Sequence, residues 1–170
     1  MKIIISPAKK MNVDTDTFNY RGLPKFLNRT REIMEFMKSL SYADAKKLWG
    51  CNDSIAELNF NRFKEMDLEK NLTPAIMSYE GIQYQYMAPL VLSDHALEYL
   101  EKHLRILSGF YGVLKPFDGV TPYRLEMQAK AKINTYKDLY QYWDNSLYHE
   151  VCDDDHLILN LDYKEYAKWM

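Results

Sequence analysis

Apolar residues recur along the chain at two spacings, and their exchange outlines strands alternating with helices. The unbroken run Ile3-Ile4-Ile5 predicts a strand over Lys2 to Ile5 that is buried on both faces. It stops at Ser6-Pro7, because proline cannot continue a central ladder. Phe26, Leu27, Ile33, Met34, Met37 and Leu40 then return at helical spacing and predict an amphipathic helix from about Lys25 to Leu40. Ser41 or Tyr42 opens a second, shorter helix that Gly50 ends. Ser54-x-x-Glu57 reads as a capping box, with Ile55, Leu58, Phe63 and Met66 as the apolar stripe behind it.

Beyond Thr73-Pro74, Ala75 to Tyr79 reads as a second strand, and Ser93-Asp94 caps a helix running to about His103. Arg105 to Leu107 is a buried strand entering a turn. Thr135-x-x-Asp138 is another capping box, starting a helix that buries Leu139, Tyr142, Trp143, Leu147 and Val151. Leu157 to Leu161 is a final strand, and Tyr163 to Met170 begins a helix. This order predicts an α/β (mixed α+β) fold, a single domain over 1–170 with a mixed sheet flanked by helices.

Composition agrees with one globular domain: 47% of residues are hydrophobic and 27% charged. A chain of this size buries roughly 70% of its unfolded surface and needs no staple. The apolar runs fall far short of the roughly 18 residues of a membrane span, and Met1-Lys2 leads straight into a strand with no signal-peptide region. A cytoplasmic protein with no membrane partner is expected. Cys51 and Cys152 form no Cys-x-x-Cys motif and read as ordinary thiols; Asp153 to Asp155 beside Cys152 would oppose a thiolate.

Net charge is −2, unevenly spread. Residues 1–100 carry 13 basic and 13 acidic side chains, 101–137 carry 7 and 3, and 138–170 carry 2 and 8. The central segment is therefore basic by 4, enough for a modest anion-facing patch but not a polybasic footprint. It contains the most distinctive stretch, His103 to Met127, with three of the six glycines and two of the six prolines inside a dense apolar and aromatic load. The plain reading is a structural crossover whose glycines relieve crowding.

Leu-Ser-Gly-Phe-Tyr-Gly-Val-Leu-Lys-Pro at 107–116 and Pro-Tyr-Arg-Leu-Glu-Met at 122–127 resemble the signature of the YaaA peroxide-stress family. Ile-Ser-Pro-Ala-Lys at 5–9, Lys-Asp-Leu-Tyr-Gln-Tyr-Trp at 137–143, and Leu159-Asn160-Leu161 followed by Glu165-Tyr166 extend the resemblance over essentially the whole chain. Two places depart from it. Gly81-Ile82-Gln83-Tyr84-Gln85-Tyr86-Met87 lacks the family's acidic residue and second glycine, and Asn160-Leu161-Asp162-Tyr163 replaces Asn-Leu-Ala-Ser. Members of the family continue well beyond this length, so a C-terminally shortened domain is expected, with self-association through an incomplete sheet edge.

The resemblance implies a part in the peroxide stress response, protecting DNA and proteins from oxidation and limiting unincorporated iron. It also implies DNA binding through a helix-hairpin-helix-like element, with double-stranded or distorted DNA as the partner. On that reading Gly109 and Gly112 let backbone amides approach phosphate, Arg105 and Lys115 flank them, and Tyr111 stacks on a base. Lys9 and Arg124 would line an adjacent basic cleft. The glycine spacing is one residue wider than the common Gly-x-Gly hairpin.

The alternative is an enzyme acting on a small anionic or nucleotide-like substrate. Alternation through Tyr123-Arg124-Leu125-Glu126 puts Arg124 and Glu126 on one face, where Ser6 and Lys9 would join them. The guanidinium would bind the anion and Glu126 would serve as general base. A structural ion pair is the competing reading, and no Walker loop, GxGxxG, GxSxG or HExxH motif names a reaction, so no catalytic residue is assigned outright. His149-Glu150-x-x-Asp153 has Asp where a zinc helix has its second His and reads as a solvated acidic turn. His95 and His103 read as surface or cap residues. No metal or cofactor is expected.

Overall fold

Ile4 and Ile5, 0% and 1% exposed, lie in the strand around which the chain is assembled. In the computed structural model, which describes residues 1–152 and 157–161, β1 (Lys2–Ile5) pairs in parallel with β5 (Leu104–Ser108) on one side and with β8 (Ile158–Asn160) on the other. Ile3 stands opposite Leu104 and Leu159, which fixes the register of all three. β6 (Gly112–Leu114) returns antiparallel to β5, giving the order β6-β5-β1-β8 and a mixed sheet. The acidic turn at 153–156 and the helix expected over 163–170 lie outside the described residues.

Two-residue ladders complete the strand set of the described residues. β2 (Lys10–Met11) pairs with β4 (Tyr79–Glu80), and β3 (Thr73–Pro74) pairs with β7 (Gly119–Val120). Among the described residues the α-helices are α1 (Leu27–Ser39), α2 (Tyr42–Trp49), α3 (Asp53–Glu65), α4 (Ala75–Ser78), α5 (Ile82–Met87), α6 (Asp94–His103), α7 (Leu139–Trp143) and α8 (Ser146–Val151). No helix of the described residues is long and apolar enough to cross a membrane.

The caps follow side-chain chemistry. Ser41 accepts from Asp44 N and starts α2, which Gly50 ends in the left-handed region at φ 56°; Ser93 accepts from Ala96 N and starts α6. α3 begins earlier than its Ser-x-x-Glu pattern implies, because Asn52 is the cap, accepting from Ile55 N. Its buried stripe also differs: Ala56, Asn59 and Phe63 face the core, while Ile55 and Leu58 are exposed. Asn59 tolerates burial because its Nδ2 donates to Ile55 O at 2.8 Å.

Ala75 to Tyr79 forms no continuous strand. Ala75 N and Ile76 N donate to Asp118 O and Pro116 O, both at 2.9 Å, and the run closes as the single turn α4 between β3 and β4. A short apolar run fits either structure, and Pro74 has no N–H to extend a ladder. The helix expected after Asp138 is also two helices, α7 and α8, separated by Asp144 at φ 51°. All five residues assigned to its buried side are nevertheless in the core.

Candidate functional site

The turn Gly109–Tyr111 joins β5 to β6, so the glycine-bearing hairpin connects two strands rather than two helices. It is buried throughout: Ser108, Phe110 and Tyr111 are each 0% exposed. The Phe110 and Tyr111 amides donate to Ser108 Oγ at 3.1 and 2.9 Å. Tyr111 Oη accepts from Thr121 N at 3.0 Å, which holds that ring in the core instead of offering it to a base. The expected approach of Gly109 and Gly112 to phosphate and the stacking of Tyr111 on a base are therefore corrected: all three are packed in the interior, and the Tyr111 hydroxyl already has a protein partner.

The two glycines admit neighbouring protein. A Cβ on Gly109 would stand 2.8 Å from Leu125 O and 2.9 Å from Glu126 C, closer than a real Cβ is ever found to backbone. Gly112, at φ 78°, meets Leu147, Trp143 and Phe26. Trp143 Nε1 donates to Gly109 O at 2.9 Å and locks α7 against the turn. Arg105 also departs from its expected role. It is 7% exposed and donates Nη1 to Glu101 O and Leu104 O at 3.0 and 2.6 Å, so it is a core cation, not a surface phosphate contact.

What the hairpin supports is the ribbon from Tyr123 to Ile133. Every odd-numbered residue of that ribbon is buried and every even-numbered one is partly or fully exposed, although it belongs to no sheet and turns at Glu126, where Ala129 N donates to Glu126 O at 2.9 Å. Arg124, Glu126, Gln128, Lys130 and Lys132 thus share the outer side. Tyr123 anchors the ribbon through a buried chain of hydroxyls, Ser108 Oγ to Tyr123 Oη at 2.6 Å and Tyr123 Oη to Tyr79 Oη at 2.8 Å. Burial pushes the Tyr123 phenol up to about 12, so it stays a neutral hydroxyl at physiological pH.

The end of β1 delivers Ser6 to Lys9 to the same place, with Tyr84 donating to Ser6 O at 2.7 Å. Lys9 Nζ lies 3.1 Å and Arg124 Nη2 3.4 Å from one oxygen, Glu126 Oε1. Two cavities flank this triad. One, about 740 Å³, is walled by Ser6, Lys9, Tyr84 and Tyr123; the other, about 640 Å³, by Lys47, Trp49, Lys130 and Lys132. Arg124 and Glu126 line both, so the two cavities adjoin as a groove divided by an ion-paired septum. Trp49 Nε1 and Arg124 Nε are buried N–H groups of this wall without partners.

Of the seven residues singled out in the sequence, Lys9 and Arg124 meet in this groove. Arg105 and Lys115 meet elsewhere, on a smaller cavity, while Gly109, Tyr111 and Gly112 are interior. Sequence reasoning missed Lys47, Lys130 and Lys132. The last two had a signal, since Tyr-Arg-Leu-Glu-Met-Gln-Ala-Lys-Ala-Lys-Ile alternates apolar and polar without a break. Lys47 had none, because α2 is placed by tertiary packing.

An α/β protein with a basic groove along an extended ribbon is the class these features define. The chain belongs to the family of the peroxide stress protein YaaA, whose profile matches residues 1–170. It is 55% identical over 168 residues to the UPF0246 protein of Pediococcus pentosaceus and 56% identical over 168 to that of Agathobacter rectalis, covering 99% of this chain in each case. The matched segment is 67% and 68% of those two relatives, so this chain spans about two thirds of their length.

Proposed function

We propose that the protein serves the peroxide stress response in the cytoplasm by binding DNA along the two-cavity groove, with Arg124 at its centre. The observation that carries this reading is the septum: Arg124 and Glu126 line both cavities, with Lys9 on one side and Lys47, Lys130 and Lys132 on the other. Lysines spaced along one groove suit the repeating charge of a phosphate backbone, which needs point charges and no base-specific geometry. The apolar walls, Tyr84 and Tyr123 in one cavity and Phe36 and Leu40 in the other, favour a partly unpaired or distorted strand whose bases leave water. Binding is then sequence-independent, modest and sensitive to salt. Shielding of DNA from oxidants follows from occupancy, and the link to limiting iron belongs to the same physiological proposal.

Titrating a labelled duplex and a duplex with an unpaired bubble against salt tests this. Lys130→Ala with Lys132→Ala should weaken binding to both and reduce the logarithmic salt slope by about 2, roughly 0.9 for each phosphate no longer neutralised. An unchanged slope removes the groove from the interface. The second reading, a small nucleotide-like substrate with Glu126 as base, draws support from the meeting of Lys9 and Arg124 on one carboxylate oxygen. Mononucleotides competing with DNA at low concentration would favour it.

A further inference from the structure

Arg105 and Lys115 come together on a cavity of about 340 Å³ that shares no residue with the groove. Arg21, Glu101 and Asp118 wall it with them, and the Lys25–Glu150 ion pair closes its edge. Arg105, more than nine-tenths buried at 7% exposure, uses Nη1 on two carbonyls, but its buried Nε has no partner. Glu101 Oε2, buried in the same wall, has no partner either. Beside the cavity, Arg105 thus keeps an unused donor and Glu101 an unused acceptor. With the Lys25–Glu150 pair set aside, the cations Arg21, Arg105 and Lys115 outnumber the carboxyls Glu101 and Asp118.

A tetrahedral phosphate with one protonated oxygen meets both needs. Its ionised oxygens accept from the guanidinium and the ammonium, and its P–OH donates to the Glu101 carboxylate. Sulfate carries no proton at neutral pH and satisfies only the cations. An internal phosphodiester of DNA lacks the P–OH as well. We propose that this cavity is a phosphate site, separate from the groove, that selects a singly protonated phosphate, free or as a monoester, over sulfate. Glu101 is its specificity determinant, because an acceptor without a donor rejects an unprotonated oxyanion. A buried hydrogen bond to a charged group sets the preference at about tenfold or more.

Calorimetric titration of the chain with sodium phosphate, sodium sulfate and glycerol 3-phosphate at pH 7 and matched ionic strength tests the site. Phosphate should bind at one saturable site and sulfate about tenfold more weakly or worse. Lys115→Ala, at an exposed position, should weaken phosphate about threefold or more, and Asp118→Asn should tighten it by removing a like charge. Glu101→Gln, which supplies a donor, should erase the preference over sulfate. Lys130→Ala with Lys132→Ala should leave phosphate binding unchanged, so failure here and failure of the groove are separate results. Equal binding of sulfate and phosphate, or indifference to both Lys115→Ala and Asp118→Asn, would overturn the proposal. Glycerol 3-phosphate binding as tightly as phosphate assigns a phosphorylated small molecule, and weaker binding assigns the free ion; either upholds the site.

Discussion

Gly109 lies directly under Glu126: a Cβ added to the glycine would come within 2.9 Å of the glutamate's carbonyl carbon. The buried hairpin thus sets the height of the ribbon that carries Arg124 and Glu126 into the groove. Gly109→Ala must push that backbone away, and overpacking of this kind costs about 1–3 kcal/mol. In a domain of this size the melting temperature should fall by roughly 2–4 °C per kcal/mol. Because displacement moves the septum, DNA affinity should fall too. Thermal unfolding and binding measured on the same preparation check both, and an unchanged melting temperature would show that the contact is not constraining.

The hydroxyl chain gives a second prediction. Ser108 Oγ already accepts from two amides, so its proton goes to Tyr123, whose hydroxyl also shares a hydrogen bond with that of Tyr79. Tyr123→Phe leaves Ser108 without its acceptor and the Tyr79 hydroxyl without its Tyr123 partner in the buried interior. Urea unfolding should show a loss of about 1–3 kcal/mol. A loss below about 0.5 kcal/mol, the range of an inconsequential surface change, would show that the chain of hydroxyls carries little energy.

Much of this architecture was legible from residue pattern. The run Ile3 to Ile5, the caps at Ser41 and Ser93, and the buried side of Leu139 to Val151 all depend on neighbours within a few positions, and there the pattern and the structure agree. Where partners are distant, local pattern was insufficient. Gly109 and Gly112 are the residue types of a phosphate-binding turn and equally those of a turn under another backbone; Trp143 and Leu125 decide between the two, and neither is local. Ala75 to Tyr79 needed knowledge of Asp118 and Pro116, whose carbonyls take its amides. In the groove, Lys9 and Arg124 were readable, and the rest of the ribbon was written in an alternation that continues past Glu126.

Asp118 makes stability depend on pH. Burial in the small cavity raises its carboxyl from an ordinary value of 3.8 to about 6. Between those values the folded chain holds a proton that the unfolded chain has released, so stability falls as pH rises through this window. The penalty is nearly absent below about pH 3.5 and complete above about pH 7, at about 1–3 kcal/mol. Asp118→Asn keeps an oxygen for the bond from Lys115 N and removes the charge. The variant should be the more stable protein at about pH 8 and close to the parent at about pH 3.5. Denaturant titrations giving the same difference at both pH values would contradict this account.

Glu126→Gln separates the two readings of the groove by the sign of its effect. The carboxylate holds Lys9 and Arg124 through one oxygen; Lys9 is largely exposed, so its pair is a weak, screened interaction of about 0.2–1 kcal/mol, whereas Arg124 and Glu126 are mostly buried. Neutralising Glu126 with the isosteric amide frees two cations and makes the septum more positive. If the groove tracks a phosphate backbone, DNA affinity should rise by roughly 1.5- to 5-fold, the same energies expressed as a ratio, and the gain should shrink as salt is added. If Glu126 removes a proton from a bound substrate, the substitution would abolish turnover while ligand binding held or improved. Weaker DNA binding would instead mean that Glu126 positions Arg124 for its contact. The electrostatic account of the groove requires the affinity to increase.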